Sequence, residues 1–280
     1  MAPMQCLLVS RFPHVISLKS SRRSRLYDSG WTGILLVVVL LGAWEVSVSS
    51  GAVRSDSWPA LSSVLTALIR GAISESWISI FGSTLYRMTF GFLLGTVLGI
   101  VVGLLFGVSS YVNRVLMPTL EIFRTTPIPA IVPPLIFLLG VDDELKITIV
   151  ALAAFFPVAL NTLAGVRQVD PIHLQVAQTF RVPRLKAVFK IQLPSTLPYV
   201  FAGARISLGI SLIVAVVTEM LAGSEGVGYF IVSMEYAMRA DDMYAAIILL
   251  SVLGYVLNRL FVLLEAKCIR WARVLHLRLT

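Results

Sequence analysis

Long apolar runs separated by short polar segments make up most of the 280-residue chain. A transmembrane helix needs about 20 mainly apolar residues, and six runs are long enough to form one. These runs cover residues 31–50, 80–107, 115–139, 146–166, 198–222 and 243–264. The pattern therefore predicts an all-α integral membrane protein with six transmembrane helices.

A cleaved signal peptide is the competing interpretation of the first run. The run is longer than the apolar core of such peptides, which is about 7–15 residues, and no clear small-residue cleavage site follows it. We therefore expect residues 31–57 to form the first transmembrane helix and its periplasmic connection.

Glycine recurs at every fourth residue of the second run, and this spacing places the glycines along one stripe of a helix. Another helix can approach such a stripe closely because no side chains stand between the two backbones. The stripe predicts a helix-packing seam, and its members are Gly91, Gly95, Gly99, Gly103 and Gly107.

Prolines interrupt the third run, at Pro118, Pro127, Pro129, Pro133 and Pro134. Each internal proline removes a backbone donor and clashes with the preceding turn, so this run is predicted to be a broken helix. Broken backbone at membrane depth is tolerated where protein buries it or where it lines a polar cavity. Two interpretations therefore stay open, a translocation pathway at the break or a kinked packing helix.

The composition agrees with a membrane protein, since 57% of the residues are hydrophobic and only 14% are charged, against about 25% in soluble domains. The net charge of +8 does not indicate a nucleic-acid partner, because the basic residues cluster at the ends of the runs. Most of them lie in residues 1–30, 167–190 and 267–280, which six spans place on one side. The positive-inside rule makes that side cytoplasmic, together with both termini. Cys6 and Cys268 then lie on the reducing side, so no disulfide is expected.

A polar, basic segment, residues 170–194, separates the fourth run from the fifth. Asp170 and Pro171 are typical of a helix start, because aspartate caps free amide groups and proline fits the first turn. Leu174, Ala177 and Phe180 follow at three-residue spacing and predict the apolar face of a short amphipathic helix.

A second short helix is predicted to begin after Val182 and Pro183 and to end at Pro194. Lys186 and Lys190 fall on its polar face. One interpretation is a surface helix that its basic residues attract to the lipid headgroups.

The spacing within this segment supports a different interpretation. It resembles the E-A-A-x3-G-x9-I-x-L-P signature of the membrane subunits of bacterial ABC importers. The E-A-A places are taken by residues 175–177, the glycine place by Arg181, and the closing places by Ile191, Leu193 and Pro194, with every interval kept. The chain departs from the signature at Gln175, Val176 and Arg181.

Further stretches resemble the sulfonate, taurine, nitrate and bicarbonate group within that family. They are FRTTPIPAIVPPLIFLLGVDDELKI, FFPVALNTLAGVRQVDP, EMLAGSEGVGYFI and LNRLFVLLEAKCIRW, and the likeness covers roughly residues 58–273. The resemblance implies a type I ABC importer permease fold with a cytoplasmic coupling helix. The expected layout is a cytoplasmic tail over 1–30, a transmembrane domain over 58–266 that contains the coupling loop 170–194, and a basic cytoplasmic tail over 267–280.

The resemblance also implies a transport function and the partner proteins that this function requires. Such permeases form the pathway for a small solute, here a small anion, which a periplasmic binding protein delivers to a homodimer in the inner membrane. ATP and Mg²⁺ bind a separate ATPase subunit, and this chain has no G-x-x-x-x-G-K-[ST] loop of its own. We expect no enzymatic activity, catalytic residues, metal or cofactor on this chain.

Three alternatives stay open at this point. The cargo could be another small nutrient, such as a vitamin precursor. A secondary transporter would require internal repeats and paired broken helices, and only one proline-rich break is visible. A membrane scaffold without a transport role leaves the break and the polar segment unexplained.

The resemblance assigns ATPase coupling to Leu174, Gln175, Ala177, Gln178, Phe180, Arg181, Leu193 and Pro194. Arg181 replaces a glycine that can close a helix in the left-handed conformation. Either Arg181 adopts that strained conformation, or the turn is rebuilt around Val182 and Pro183. We expect the rebuilt turn, because Pro183 restricts Val182 to extended geometry.

Charges within the runs give the pathway candidates Glu121, Arg124, Pro127, Pro129, Arg205 and Glu219. A charge at the bilayer centre costs at least about 2.5–3.5 kcal/mol, so such residues face a cavity or each other. Glu121 and Arg124 are expected to pair on one helix face, with direct substrate contact as the alternative. Arg87 is expected to reach the membrane interface, or else to contact an anion together with Arg205.

Overall fold

The computed structural model describes residues 30–52, 55 and 57–269, and within these residues the regular structure is helical. The tails predicted over 1–30 and 267–280 therefore lie almost wholly outside the described residues. The helices are α1 (Gly30–Ser49), α2 (Leu61–Ile73), α3 (Glu75–Val108), α4 (Ser110–Thr125), α5 (Ile128–Leu139), α6 (Asp143–Arg167), α7 (Pro171–Thr179), α8 (Arg184–Ala187), α9 (Leu193–Ala222), α10 (Val227–Tyr236) and α11 (Ala240–Cys268).

The chain divides into two compact units, Met1–Ala52 and Val53–Thr280. The described part of the first unit is the single apolar helix α1, whose large side chains from Ile34 to Leu41 are exposed. The second unit contains the remaining helices and the buried core.

The all-α membrane architecture is confirmed. Helices α3, α6 and α11 and the continuous helical stretch Arg184–Ala222 are each long and apolar enough to cross a bilayer. Helices α4 and α5 meet at an angle of 97°, so the third run is a broken helix, as the prolines predicted. Four of the six predicted spans thus have a helix that could cross a bilayer, and the broken pair corresponds to a fifth. The first corresponds to α1, so the count of six stays a prediction.

Pro194 does not end the helix that precedes it, which corrects the sequence-based expectation. The chain continues from α8 through a π-helical turn, Val188–Gln192, directly into α9. The Leu193 N–H donates to the carbonyl of Val188, five residues earlier. This wider turn accommodates the proline, which would otherwise clash with the carbonyl four residues before it.

The glycine stripe of α3 packs directly against α6, which confirms the predicted seam. A Cβ atom built on Gly91 would lie 2.6 Å from Cβ of Val150, and one on Gly99 would lie 2.8 Å from Cβ of Val158. A Cβ on Gly95 would overlap the backbone carbonyl of Ala151. The two backbones are therefore too close for any side chain larger than hydrogen at these positions.

Helix α6 is the central helix of the second unit, because α9 packs closely on it as well. A Cβ atom on Gly203 of α9 would lie 2.8 Å from Cβ of Asn161. The buried Ser207 hydroxyl donates a hydrogen bond of 2.8 Å to the carbonyl of Ala154. Small residues on two neighbours thus enclose α6 by van der Waals packing and by this hydrogen bond, which are the forces available inside a bilayer.

Replacement of Gly95 by alanine should test the seam. We expect Gly95→Ala to lower the free energy of unfolding of the detergent-solubilised protein by about 1–3 kcal/mol, because the added methyl group pushes α3 away from α6. The loss should appear as a lower Tm. Gly209→Ala in α9 is the matched control, since a Cβ atom there meets nothing within 4 Å. It should be neutral or stabilising by up to about 1 kcal/mol. Equal Tm values for the two variants would contradict the packing account.

Candidate coupling surface and translocation cavity

The start of α7 forms as the sequence predicts. The Asp170 carboxylate accepts a 2.8 Å hydrogen bond from the backbone N–H of Ile172, and Pro171 occupies the first helical position. The cap satisfies an amide that would otherwise have no partner, so the short helix has a fixed beginning.

The face of α7 that points away from the bundle differs from the predicted one. Ala177 is only 5% exposed and Leu174 is half-buried, so both face the protein and not a partner. Phe180 is 78% exposed. Ile172 and Val176 are exposed on the outer face, and their four-residue spacing is the signal that would have identified this face.

The outer surface of residues 172–190 carries exposed apolar side chains interspersed with exposed polar and basic ones. We call it the coupling surface, and its apolar members are Ile172, Val176, Phe180, Leu185 and Phe189. The exposed polar and basic neighbours are Gln175, Gln178, Arg181, Arg184, Lys186 and Lys190. Of the other predicted coupling residues, Leu193 is half-buried and Pro194 is exposed, both in the first turn of α9.

Arg181 adopts the left-handed conformation, with φ of 51°, so the expected rebuilt turn is wrong. The Arg181 N–H donates to the carbonyl of Gln178, and the Val182 N–H donates to the carbonyl of Ala177, both at 2.9 Å. This pair of bonds is the Schellman motif that commonly closes a helix. The two hydrogen bonds satisfy carbonyls that the helix end leaves free, and they offset the strain of a side chain at positive φ.

The break between α4 and α5 borders a cavity of about 400 Å³. Its walls are residues 124–129, Val132 of α5, and Ile213, Val214, Val217 and Thr218 of α9. This volume lies within the range of small-molecule sites, about 300–1,000 Å³. Pro127 and Pro129 therefore lie at a cavity, in agreement with the pathway interpretation of the break.

The pathway candidates separate into three places. Arg124 lines the cavity, while Glu121 is exposed outside it, and within the described residues no ion pair joins the two. The expected Glu121–Arg124 pair is therefore wrong. Arg205 lies 3.9 Å from Glu265 of α11 and does not line this cavity. Glu219 belongs to a cluster of charges elsewhere.

Arg87 is buried in that cluster, with 4% of its surface exposed, and its guanidinium contacts groups of its own chain. Its Nε donates to Oδ1 of Asp143 at 2.6 Å, and its Nη1 donates to Oε1 of Glu219 at 3.0 Å. Nη1 also donates to the backbone carbonyl of Glu225 at 3.1 Å. A single guanidinium thus joins α3, α6, α9 and the connection between α9 and α10.

The Glu219 carboxylate completes the cluster from the other side. It accepts hydrogen bonds from the Thr84 hydroxyl, at 2.9 Å to Oε2, and from the Gly228 N–H at 3.1 Å. Gly226 has φ of 103° and packs against this carboxylate, where any side chain would overlap it. The sequence indicated Glu219 and Arg87 as charges in apolar runs, but it gave no signal for Asp143 or Glu225 as their neighbours.

Substitutions of Arg181 should reveal the cost of its conformation. We expect Arg181→Gly to stabilise the protein by about 1 kcal/mol in thermal unfolding, because glycine has no left-handed penalty but adds freedom to the unfolded chain. Arg181→Ala removes the same charge and keeps the Cβ atom, so it should give no such gain. An equal increase in Tm for both variants would assign the effect to charge and not to φ.

Comparison with known proteins agrees with this architecture. Residues 95–270 match the family described as binding-protein-dependent transport system inner membrane component. A Bacillus subtilis (strain 168) permease protein named for aliphatic sulfonates transport is 34% identical over 243 residues, covering 86% of this chain and 88% of that protein. The nitrate import permease protein of Leptolyngbya laminosa is 28% identical over 264 residues, covering 87% and 94%. The taurine transport system permease protein of Escherichia coli (strain K12) is 26% identical over 203 residues, covering 72% and 70%.

A solved structure has the same fold. The chain aligns with an inward-facing conformation of the MetNI methionine ABC transporter at a TM-score of 0.61 and 19% identity, covering 71% of this chain and 98% of that one. This likeness establishes the fold, and the family match covers more than half of the sequence. The chain therefore belongs to the binding-protein-dependent transport system inner membrane components, the permease subunits of ABC importers.

Proposed function

We propose that the chain forms the translocation pathway of an ATP-driven importer for a small anion, such as a sulfonate, taurine, nitrate or bicarbonate. The observation that carries the proposal is the coupling surface, an exposed apolar patch with basic neighbours that is suited to a soluble partner. The relatives named for sulfonates, nitrate and taurine support the class of cargo. A periplasmic binding protein delivers the cargo, and two copies of this chain form the pathway between them.

The proposed partner at the coupling surface is a separate ATPase subunit, which binds the ATP and Mg²⁺. Phe180, Leu185 and Phe189 supply apolar area that enters a groove of the partner, while the surrounding basic side chains attract it and fix its orientation. A lipid surface would use the same chemistry, so association with the ATPase is the property to measure.

One continuous helix connects this surface with the cavity. Residues 184–222 run without a break from Leu185 through the π-helical turn to Val217 and Thr218, which line the cavity. A helical stretch of 39 residues is about 58 Å long. A displacement of the coupling surface by the ATPase would therefore reach the cavity wall through one continuous helical stretch, which is a direct mechanical route from ATP hydrolysis to transport.

We propose that the coupling surface and both termini lie in the cytoplasm and that the charge cluster lies near the periplasmic face. The distribution of basic residues supports this orientation. Single cysteines at Ser224 and Asp241 should react with an impermeant thiol reagent added to intact spheroplasts. A cysteine at Lys186 should react only after the membrane is opened. Labelling of the residue-186 cysteine in intact spheroplasts would contradict the proposed orientation.

The function predicts anion uptake by the complete importer. Proteoliposomes that contain this chain, its ATPase and its binding protein should accumulate at least one of taurine, ethanesulfonate, nitrate or bicarbonate when ATP is supplied. The permease alone should hydrolyse no ATP. Uptake of none of these anions, with uptake of an uncharged nutrient instead, would contradict the class of cargo.

Phe180→Asp should separate ATP hydrolysis from transport. Loss of a large exposed apolar anchor typically costs about 2 kcal/mol or more of binding, so we expect at least tenfold weaker ATPase association and loss of uptake. Tyr236→Asp is the control, because Tyr236 ends α10, is 84% exposed and lies outside the coupling surface. Association should stay at the wild-type level in this control. Wild-type ATPase association and uptake in the Phe180→Asp variant would show that Phe180 does not belong to the interface.

A further inference from the structure

The cavity at the break carries one charged side chain among the described residues that line it, the cation Arg124. The remaining walls are threonines, prolines and aliphatic side chains, and no carboxylate lines the cavity in the described part of the chain. A cavity whose lining includes a cation and no acid has a positive local potential, which low-dielectric walls strengthen. This arrangement attracts anions and repels cations.

Three other arginines of the described bundle lie beside acids, the buried Arg87 and the exposed Arg205 and Arg239. Arg87 binds Asp143 and Glu219, Arg205 lies beside Glu265, and Arg239 lies beside Asp242. Arg124 is exposed and has no such partner within the described residues, although it lies in an apolar helix pair that could enter the membrane. An unpaired arginine in a span requires water or an anion beside it, because hydrocarbon does not solvate a guanidinium.

The neighbouring hydroxyls do not replace an anion as partners of Arg124. The Thr125 and Thr126 hydroxyls donate to the carbonyl of Ile122, at 2.8 and 3.3 Å, and the Thr218 hydroxyl donates to Val214 at 2.7 Å. Their protons are thus committed to the backbone. The guanidinium, with five N–H donors in a planar fork, is the lining group that can donate to an oxyanion.

The backbone at the break adds to the same potential. Helix α5 begins at Ile128, and both Ile128 and Pro129 line the cavity, so the N-terminal end of this half-helix borders it. The N-terminal end of a helix carries a partial positive charge. Interrupted transmembrane helices use such ends next to anionic groups of their cargo.

We propose that Arg124 is the specificity-determining residue of the pathway, and that its guanidinium holds the oxyanion group of the cargo in the cavity beneath the break. The inference rests on the proposed function and deepens it, because it names the residue and the chemical group that it selects. A sulfonate, nitrate or bicarbonate presents at least two oxygens to the fork of the guanidinium, whereas a cation is repelled. The apolar walls then accept the short carbon chain of a sulfonate.

The test measures the charge selectivity of the cavity without ATP, binding protein or known cargo. Cys6 and Cys268 are replaced by serine, and a reporter cysteine replaces Ile213, which lines the cavity from α9 and is 65% exposed. The full-length protein in lipid nanodiscs is treated with two methanethiosulfonate reagents of similar size. One carries a sulfonate group and the other a trimethylammonium group, and the ratio of their reaction rates reports the local potential.

We expect the sulfonate reagent to react faster with the Arg124 protein. Arg124→Gln should lower the sulfonate-to-ammonium rate ratio about tenfold, because the reagents differ by two charges and each loses its Coulomb interaction with the guanidinium. Arg124→Lys keeps the charge and should retain most of the ratio. Arg259→Gln is the matched control, since Arg259 is an exposed cation of α11 outside this cavity, and it should leave the ratio unchanged.

A second arm distinguishes the cargo from lipid phosphate as the anion. Free ethanesulfonate or nitrate should slow the reaction of the Arg124 protein and should have little effect after Arg124→Gln. A ratio that changes with phosphatidylglycerol content but not with these anions would assign Arg124 to lipid and overturn the proposal. An unchanged ratio in Arg124→Gln, or a reporter that reacts with neither reagent, would also overturn it.

These outcomes are separate from those of the proposed function. Anion uptake in proteoliposomes with an unchanged rate ratio in Arg124→Gln would leave the function in place and remove Arg124 as the selecting residue. If the reaction-rate ratio depends on Arg124 but the complete importer takes up no anion, the proposed function would be wrong and the anion site would stand.

Discussion

The close approach of α3 to α6 is the constraint on which the other packing depends. Inside a bilayer, helix association relies on van der Waals contact and interhelical hydrogen bonds, since lipid tails solvate apolar side chains as well as protein does. The glycine stripe allows this contact along most of α3, and Gly203 and Ser207 give α9 a similar approach from another side. Helix α6 is therefore held on both sides, while the α4–α5 break and α9 line the cavity.

The two ends of α9 differ in a way that suits a moving element. At one end the helix continues into the exposed coupling surface. At the other end Glu219 is held by Arg87, Thr84 and Gly228. Removal of one partner from a buried ion pair typically costs about 3–5 kcal/mol, so the cluster acts as a firm attachment. A force applied at the exposed Leu185 would thus act on a helix whose other end is held by this cluster.

Charges in this bundle have two distinct environments, and the difference explains their proposed roles. Arg87 lies between carboxylates of its own chain, so its charge is neutralised and its role is structural. Arg124 stands at a proline break beside a cavity without a carboxylate among the described lining residues, so its charge remains available. The same residue type therefore supports the fold at one position and lines the cavity at another.

The sequence by itself determined the class of the protein, because apolar length, glycine spacing and proline breaks act locally through helix geometry and backbone hydrogen bonding. It also determined the Asp170 cap, the broken helix and the family signature of the coupling segment. The tertiary structure decided what depends on distant partners. Asp143 and Glu225 meet Arg87 only after folding, and Ala177 turns inward because the bundle lies on that side of α7. The positive φ of Arg181 likewise accompanies the two hydrogen bonds that close α7. The presence of Pro183 in the sequence did not indicate this geometry.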